Sequence, residues 1–135
     1  MSADLDLIVP ATTRGLQTAL QTLEESCAAR NVQFDLQSRA RIVVEELFTN
    51  TIKYGYGGES ELPVRLSGMA ASALTLTFED DAPPFDLTAW SPPLQSPGER
   101  PVGQAGISMV MGLCAAVSYA RVGESNRVTL TIVAH

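Results

Sequence analysis

The sequence predicts an α/β protein, a two-layer sandwich in which helices cover one face of a mostly antiparallel mixed sheet. The order of periodic segments carries this prediction, because it reads strand, helix, helix, strand, strand, helix, strand, strand. The length of 135 residues suits one domain over residues 1–135. The composition, 45% hydrophobic and 18% charged, is that of a globular protein.

The first two predicted elements are a short strand and a helix. Leu5 to Val9 alternates with acidic residues, which predicts an edge strand that ends at Pro10. Thr12 or Thr13 is the candidate N-cap of a helix that reaches about Arg30. The apolar stripe of this helix comprises Leu16, Leu20, Leu23 and Cys27.

The stretch from Arg39 to Gly58 predicts a long central helix around which the rest of the chain is organised. Asp35 is its candidate N-cap, and the glycines at 55, 57 and 58 are its candidate stop. Its apolar face consists of residues three and four positions apart, namely Leu36, Ala40, Val43, Val44, Leu47, Phe48 and Ile52.

A polar stripe lies on another side of the central helix. Glu46 and Asn50 are four residues apart and therefore share one side, and Lys53 and Tyr54 continue the stripe one turn later. A carboxylate beside a carboxamide can act as a general base next to an oxygen ligand for a hard metal ion. The plainer interpretation is a solvated polar face, which is the commoner role of either residue type taken alone.

The second half of the chain predicts two hairpins with a loop and a third helix between them. A polar turn, Glu59 to Pro63, precedes the first hairpin. The third helix opens at Gly103 to Gly106, and its apolar residues are Ile107, Val110, Met111, Leu113 and Cys114. Periodicity is lost between Glu79 and Val102, and six of the eight prolines lie there, so a long loop is expected. The four strands are Val64–Ser67, Leu74–Phe78, Val117–Val122 and Val128–Val133, and Gly123 to Asn126 is the turn between the last two.

Two segments of this half carry residue types that suit nucleotide binding. Asp80 closes a strand, where a carboxylate can accept a hydrogen bond from the exocyclic amine of an adenine, although Asp is also a common strand terminator. Phe85 follows two prolines and either covers the core or walls a base pocket. The segment Gly103–Gly106 can turn backbone amides toward an anion, with Arg100 as a nearby cation; a flexible loop end is the alternative.

Charge and cysteine content narrow the classes of function. A formal net charge of −6 argues against direct nucleic-acid binding, because phosphate backbones require a basic surface. Neither a signal peptide nor a membrane span is recognisable, so a cytoplasmic protein without a membrane partner is expected. Cys27 and Cys114 lie in apolar helical patterns and are interpreted as buried free thiols.

Three segments together resemble the anti-sigma-factor serine/threonine kinases, a bacterial branch of the GHKL ATPases, which share the Bergerat fold. The N box of that family is matched by EELFTNTIKYGYGG, which begins at Glu45. The adenine-binding box is matched by FEDDAPPFDL, which begins at Phe78. The last box is matched from Gly103 by GQAGISMVMGLCAAVSYARVGESNRVTLTI, where a glycine pair opens a helix that leads into a hairpin. The resemblance therefore covers essentially the whole chain, with the boxes in the family's order.

The resemblance implies roles for individual residues, with ATP and Mg²⁺ as cofactors. It assigns Glu46 as the base that orients the attacking hydroxyl, Asn50 as the ligand of Mg²⁺, and Asp80 as the carboxylate that binds adenine. Residues 86–102 correspond to the ATP lid, whose closure excludes water from the γ-phosphate. Further nucleotide contacts are expected at Lys53, Tyr54, Ala82, Phe85, Arg100, Gly103, Gln104, Ala105, Gly106 and Ile107.

Three residues depart from the family pattern. Ala82 stands where the adenine box usually has glycine, Gln104 where the last box often has a second glycine, and Tyr54 where histidine is common. The changes at Ala82 and Gln104 are expected to weaken ATP affinity, because added side-chain atoms then lie close to the nucleotide.

The leading interpretation is an anti-sigma factor with protein serine/threonine kinase activity, an ATP-dependent transferase that forms a homodimer. Its implied partners are a STAS-domain anti-anti-sigma protein, which it phosphorylates, and a sigma factor, which it sequesters by partner switching. The alternative is a binding module that keeps the fold without transferring phosphate, as Ala82 and Gln104 suggest. A sensor histidine kinase fits poorly, because the only histidine is His135, and an unrelated α/β domain requires three chance matches in order.

Overall fold

A computed structural model describes residues 4–89 and 104–133, and it has the predicted α/β sandwich architecture. Five strands form one sheet in the order β1-β2-β3-β5-β4. The strands are β1 (Leu5–Ala11), β2 (Ser60–Ala70), β3 (Leu74–Asp80), β4 (Ala116–Val122) and β5 (Ser125–Ile132). The helices are α1 (Thr13–Ala29), α2 (Phe34–Asn50) and α3 (Gln104–Leu113), and a π-helical turn, Thr51–Gly55, extends α2.

Each neighbouring pair of described strands is antiparallel. The prediction was a mostly antiparallel sheet with some parallel pairing, and the described strands have no parallel pair. The reason is the return of the chain after α3. It enters the sheet at the edge as β4 and turns back through a hairpin, which places β5 between β3 and β4 and antiparallel to both.

One face of the sheet carries the core. Along β5 the buried residues alternate with less buried ones, and Val128, Leu130 and Ile132 all point to the same face. Phe48 of α2 meets Phe78 of β3 edge to face, with ring centroids 6.3 Å apart. Burial of such apolar side chains is the main force that holds the helices against the sheet.

Local interactions explain where α1 begins and ends. The Thr12 hydroxyl accepts a hydrogen bond from the backbone N–H of Gly15 at 2.9 Å, which confirms the predicted N-cap. A Cβ at position 15 would overlap the carbonyl oxygen of Pro10, so glycine allows β1 and α1 to join closely. After the last turn, Asn31 adopts a φ of 54°, in the left-handed region where helices commonly end.

The beginning of α2 differs from the prediction. The helix starts at Phe34, and the preceding Gln33 makes no capping bond through its side chain, so the prediction of Asp35 as the N-cap was wrong. Asp35 instead lies within the first turn, where a negative charge is favoured by the helix dipole, and it pairs with Arg39. The end agrees with the prediction, because Gly57 and Gly58 have positive φ angles that stop the helix.

The segment predicted as a polar turn before β2 is part of the strand. β2 begins at Ser60, and β1 continues past Pro10 to Ala11, with Pro10 opposite Pro63 and an irregular register beside them. Polarity misled the prediction, because the residues at the start of β2 are largely exposed and need no apolar side chains.

Two cysteines and one methionine test the predicted buried positions. Cys27 is buried as predicted, but Cys114 is only partly buried, because it follows the last residue of α3. Both thiols are free, and burial raises the pKa of each, that of Cys114 to about 11. Met111, predicted on the apolar face of α3, is 41% exposed.

Within residues 4–89 and 104–133, no helix combines the length and the apolar character that crossing a membrane requires.

Candidate functional site

A cavity of about 370 Å³ lies between the C-terminal end of α2, its π-helical turn, α3 and the ends of β3 and β5. This volume falls in the usual range for small-molecule sites, which are mostly apolar with a few convergent polar groups. The cavity is lined by Leu47, Asn50, Thr51, Tyr54, Gly55, Phe78, Asp80, Ala82, Pro83, Pro84, Phe85, Leu87, Ile107, Val110, Asn126 and Val128.

Asp80 is the buried carboxylate of this cavity, with 8% of its surface exposed. Its Oδ2 accepts a hydrogen bond from the Thr51 hydroxyl at 2.8 Å. Its Oδ1 accepts from Asn126 Nδ2 at 2.8 Å and from the backbone N–H of Ala82 at 3.2 Å. These bonds offset the cost of burying the carboxylate. Because each carboxylate oxygen has two lone pairs, Oδ2 retains one acceptor position beside its bond from Thr51.

Thr51 stands at the junction of α2 and the π-helical turn, with α-helical backbone angles. The backbone N–H of Tyr56 bonds to the carbonyl of Thr51 at 2.8 Å, five residues back, so the turn is wider than an α-helical one. The Tyr56 hydroxyl donates to the carbonyl of Pro63 at 2.8 Å and accepts from the N–H of Asp81 at 2.7 Å. Burial raises the pKa of Tyr56, so this hydroxyl stays protonated and joins the turn to β2 and β3.

Glu46 and Asn50 meet the beginning of α3. A Cβ placed on Gly106 would overlap Oε2 of Glu46 and lie 3.5 Å from Nδ2 of Asn50. Glycine at this position lets α3 approach Glu46 closely without displacing its carboxylate, and the distance to Asn50 is an ordinary van der Waals contact. Asn50 also lines the cavity, so a carboxylate, a carboxamide and a helix N-terminus converge at its border.

The family of the chain follows from a match over most of its length. Residues 9–132 match the family model described as histidine kinase-like ATPase domain. The chain belongs to the histidine kinase-like ATPase domain family. The resemblance to this ATPase superfamily that the three boxes carry is thereby confirmed, and membership implies that the domain binds ATP. No curated protein matches the chain significantly.

Solved structures share the fold of this histidine kinase-like ATPase domain. The chain is similar to a structure of RsbU and RsbW domains from Mycobacterium tuberculosis, with a TM-score of 0.68 and 16% identity over 96% of the chain. It is also similar to the histidine kinase AdeS of Acinetobacter baumannii, with a TM-score of 0.50 and 16% identity over 95% of the chain. A blue-light-activated histidine kinase domain from Erythrobacter litoralis gives a TM-score of 0.51 and 19% identity over 91%.

The chain is shorter than each of these proteins. It spans 31% of the Mycobacterium tuberculosis structure, 66% of the Acinetobacter baumannii structure and 60% of the Erythrobacter litoralis structure. Their likeness therefore establishes the shared ATPase fold, whereas activity and partners have to be argued from this chain's own residues.

The residues present fit Mg²⁺-ATP. The Asn50 carboxamide offers an oxygen ligand of the kind that Mg²⁺ prefers, and the Glu46 carboxylate lies near it against Gly106. Among the described residues, no group of three His, Cys, Asp or Glu could hold a metal ion by itself. Mg²⁺ in nucleotide sites typically takes one or two protein ligands and completes its shell with phosphate oxygens and water.

The other predicted nucleotide contacts have different positions. Tyr54, Phe85 and Ile107 line the cavity, and Phe85 is 49% exposed there rather than part of the core. Lys53 is exposed and is absent from the lining residues. Gln104 and Ala105 form the first residues of α3. Arg100, Gly103 and residues 90–102 of the predicted lid lie outside the described part of the chain.

Two buried residues of the site were not foreseen from the sequence. Thr51 follows Asn50 directly, but an ideal α-helix would not identify it as a partner of Asp80. Asn126 was interpreted as a turn residue, whereas the register of β3 and β5 places it opposite Asp80. The sequence signal for Asn126 is its spacing: it lies two residues before Val128, and the two-residue period of a strand therefore places it on the same face as the apolar residues of β5.

Proposed function

We propose that the chain is an anti-sigma factor with protein serine/threonine kinase activity, in which residues 1–135 act as one ATPase domain with a lid at 86–102. In the proposed reaction it transfers the γ-phosphoryl group of Mg²⁺-ATP to a serine of a STAS-domain anti-anti-sigma protein. It sequesters a sigma factor by partner switching and acts as a homodimer. The supporting observation is the convergence of Glu46 and Asn50 on Gly106 beside the cavity, because simple binding requires no carboxylate there.

The proposed chemistry divides the site into two parts. Glu46 holds the attacking hydroxyl and takes its proton, and Asn50 holds the Mg²⁺. When bound, Mg²⁺ would neutralise negative charge on the phosphates, and the protein mainly positions the reacting groups. Gly106 keeps the beginning of α3 within reach of both side chains, so that the positive end of the helix dipole adds positive potential there.

The cavity supplies the base-binding part. Asp80 Oδ2 has an acceptor position for the exocyclic amine of adenine, and apolar residues such as Phe85, Ile107 and Val110 surround the site and limit water. Guanine carries a carbonyl at the equivalent ring position, so it would place an acceptor against a carboxylate. The site is therefore expected to prefer ATP to GTP.

Calorimetric titration with ATP, with and without Mg²⁺, tests the nucleotide part of the proposal. Mg²⁺-dependent binding with a Kd near or below ~100 μM, about −5.5 kcal/mol, supports a working site. A folded sample that gives no heat up to millimolar ATP contradicts it. The protein is then better described as the alternative, a binding module without kinase activity.

Glu46→Gln tests the kinase part. The variant is expected to lose phosphoryl transfer by a factor of about 10²–10⁴, because an amide cannot take the proton, while its Kd for ATP stays within about twofold. Transfer is measured as phosphoserine formation on a STAS-domain partner. Glu45→Gln on the adjacent, exposed residue is the matched control and should keep full activity. Retained transfer in Glu46→Gln contradicts the role assigned to Glu46.

A further inference from the structure

Asn126 is a buried carboxamide to which the proposed reaction assigns no role. It is 6% exposed, near the beginning of β5, and pairs with Asp80 of β3 in the sheet register. A buried side-chain amide is retained without penalty only when its donors and acceptors are satisfied. The identity of its partners therefore indicates what the residue does.

The amide nitrogen of Asn126 holds the end of β3. Nδ2 carries two hydrogens and donates to Oδ1 of Asp80 at 2.8 Å and to the carbonyl of Pro83 at 3.0 Å, and it also lies 3.2 Å from the carbonyl of Ala82. One side chain therefore contacts the base-binding carboxylate and the backbone that follows it. Arg121 adds a second bond to this backbone, from Nη1 to the carbonyl of Ala82 at 2.7 Å.

The amide oxygen of Asn126 has three donors. It accepts from the Tyr119 hydroxyl at 2.6 Å, from the backbone N–H of Phe85 at 3.2 Å and from Arg121 Nη1 at 3.3 Å. A backbone N–H and a guanidinium can only donate, and carbonyls can only accept, so the amide orientation is determined by its partners. The β4–β5 hairpin thereby holds both Asp80 and residues 82–85.

We propose that Asn126 is the positioning residue of base recognition, because it fixes the carboxylate of Asp80 and the turn of residues 82–85 in one arrangement. This inference rests on the proposed binding of ATP in the cavity. A fixed acceptor discriminates between an amine and a carbonyl on the base, whereas a carboxylate that can rotate is satisfied by water with either base. Asn126 therefore determines the preference for ATP over GTP without touching the phosphates.

Asn126→Leu tests this role, because leucine has the same branched shape and number of side-chain heavy atoms and its side chain makes no hydrogen bonds. Calorimetric titration with ATP and with GTP, both with Mg²⁺, is expected to show a loss of at least about tenfold in the ratio of the two affinities. The loss should come from weaker ATP binding, while GTP binding changes by no more than about twofold. Leu130→Ala is the matched control, because it removes buried volume on the same face of β5 without a polar contact.

A second measurement uses the protein without nucleotide. In Asn126→Leu the N–H of Phe85 loses its acceptor, so its hydrogen exchange should accelerate at least about tenfold relative to the core amide of Leu76. In Leu130→Ala this relative rate should not change. If Asn126→Leu does not fold, Tyr119→Phe serves instead, because it removes one bond to the amide oxygen and should lower the affinity ratio in the same direction.

The outcomes separate this inference from the proposed function. An unchanged ratio in a folded Asn126 variant, or an equal loss in Leu130→Ala, overturns the positioning role while ATP binding stands. Wild-type protein that binds no ATP overturns the proposed function and base recognition with it. In that case, unchanged relative exchange at Phe85 also shows that Asn126 does not hold the turn.

Discussion

Ala82 and Gly55 share a space that has room for one methyl group. The Cβ of Ala82 lies 3.0 Å from the position that a Cβ on Gly55 would take, and Ala82 is 3% exposed. The expected loss of ATP affinity depends on the methyl group of Ala82 lying close to the nucleotide. In the structure this methyl group packs beside Gly55. Ala82 is one of the two departures from the family pattern that favour a binding module without kinase activity, and the packing of the domain accommodates it.

A double-mutant cycle tests this size relation. Gly55→Ala is expected to lower the free energy of unfolding by about 1 kcal/mol more in the wild-type chain than in the Ala82→Gly variant. The reason is that Ala82→Gly removes a methyl group and so leaves space for the one added at position 55. The free energy of unfolding of the four proteins in urea gives the coupling. Effects that add within about 0.5 kcal/mol would show that the two positions are independent.

At the same scale, local geometry decided how much of the site could be predicted. Glu46 and Asn50 were predicted on one side of α2, and they both meet Gly106, because residues four apart lie together on any α-helix. Thr51 and Asn126 were not predicted as partners of Asp80, because Thr51 reaches it through the packing of α2 against β3 and Asn126 through the register of β3 and β5. Neither feature has a sequence signal as regular as helical periodicity.

Among the elements, α3 contains two glycines with different surroundings. Its Gly106 lies against Glu46 and Asn50. Within the described residues, and apart from the backbone of its own helix and its chain neighbours, Gly112 has no heavy atom within 4 Å of the position that a Cβ would take there. The same helix therefore contains one glycine in close contact with a neighbouring helix and one in open space.

Gly106→Ala and Gly112→Ala form a matched pair. Gly106→Ala is expected to lower the free energy of unfolding by about 1–3 kcal/mol and to weaken Mg²⁺-ATP binding, because α3 or Glu46 must move. Gly112→Ala is expected to be neutral or stabilising by up to about 1 kcal/mol, because alanine is the better helix former. Urea unfolding and calorimetric titration measure both effects. Equal behaviour of the two variants would show that the contact at Gly106 is unimportant.

The π-helical turn shows why an element can defeat a periodic prediction. Lys53 and Tyr54 were both expected to continue the stripe of Glu46 and Asn50, on the assumption that α2 keeps 3.6 residues per turn. The wider turn changes the direction of every later side chain, so Tyr54 lines the cavity and Lys53 is exposed.

For the whole molecule, partly buried groups make stability depend on pH at the alkaline end. Burial raises the pKa of Cys114 from 9.0 to about 11 and also raises the pKa of Tyr56. Above pH 9 the Cys114 thiol ionises in the unfolded chain while it stays protonated in the folded one. Unfolding then releases a proton, so the stabilisation is complete below pH 9 and is lost as the pH rises toward about 11.

Cys114→Ala is expected to reduce this loss. Between pH 9 and pH 11 the free energy of unfolding of the wild type should fall by about 2 kcal/mol more than that of the variant. Urea unfolding at several pH values measures both curves. Between pH 6 and pH 8 the thiol is protonated in both states, so parallel curves there are the internal control. Parallel curves up to pH 11 would contradict the assignment.

The sequence by itself determined the kinds and order of the elements, the family boxes, and the shared side of Glu46 and Asn50. These features depend on residues close together in the chain, where the periods of helix and strand apply directly. Only the tertiary structure decided the strand order, the pairing of Asp80 with Asn126, and the contact of Gly106 with Glu46. Those features join segments far apart in the chain, whose meeting depends on register and close packing that no local pattern encodes.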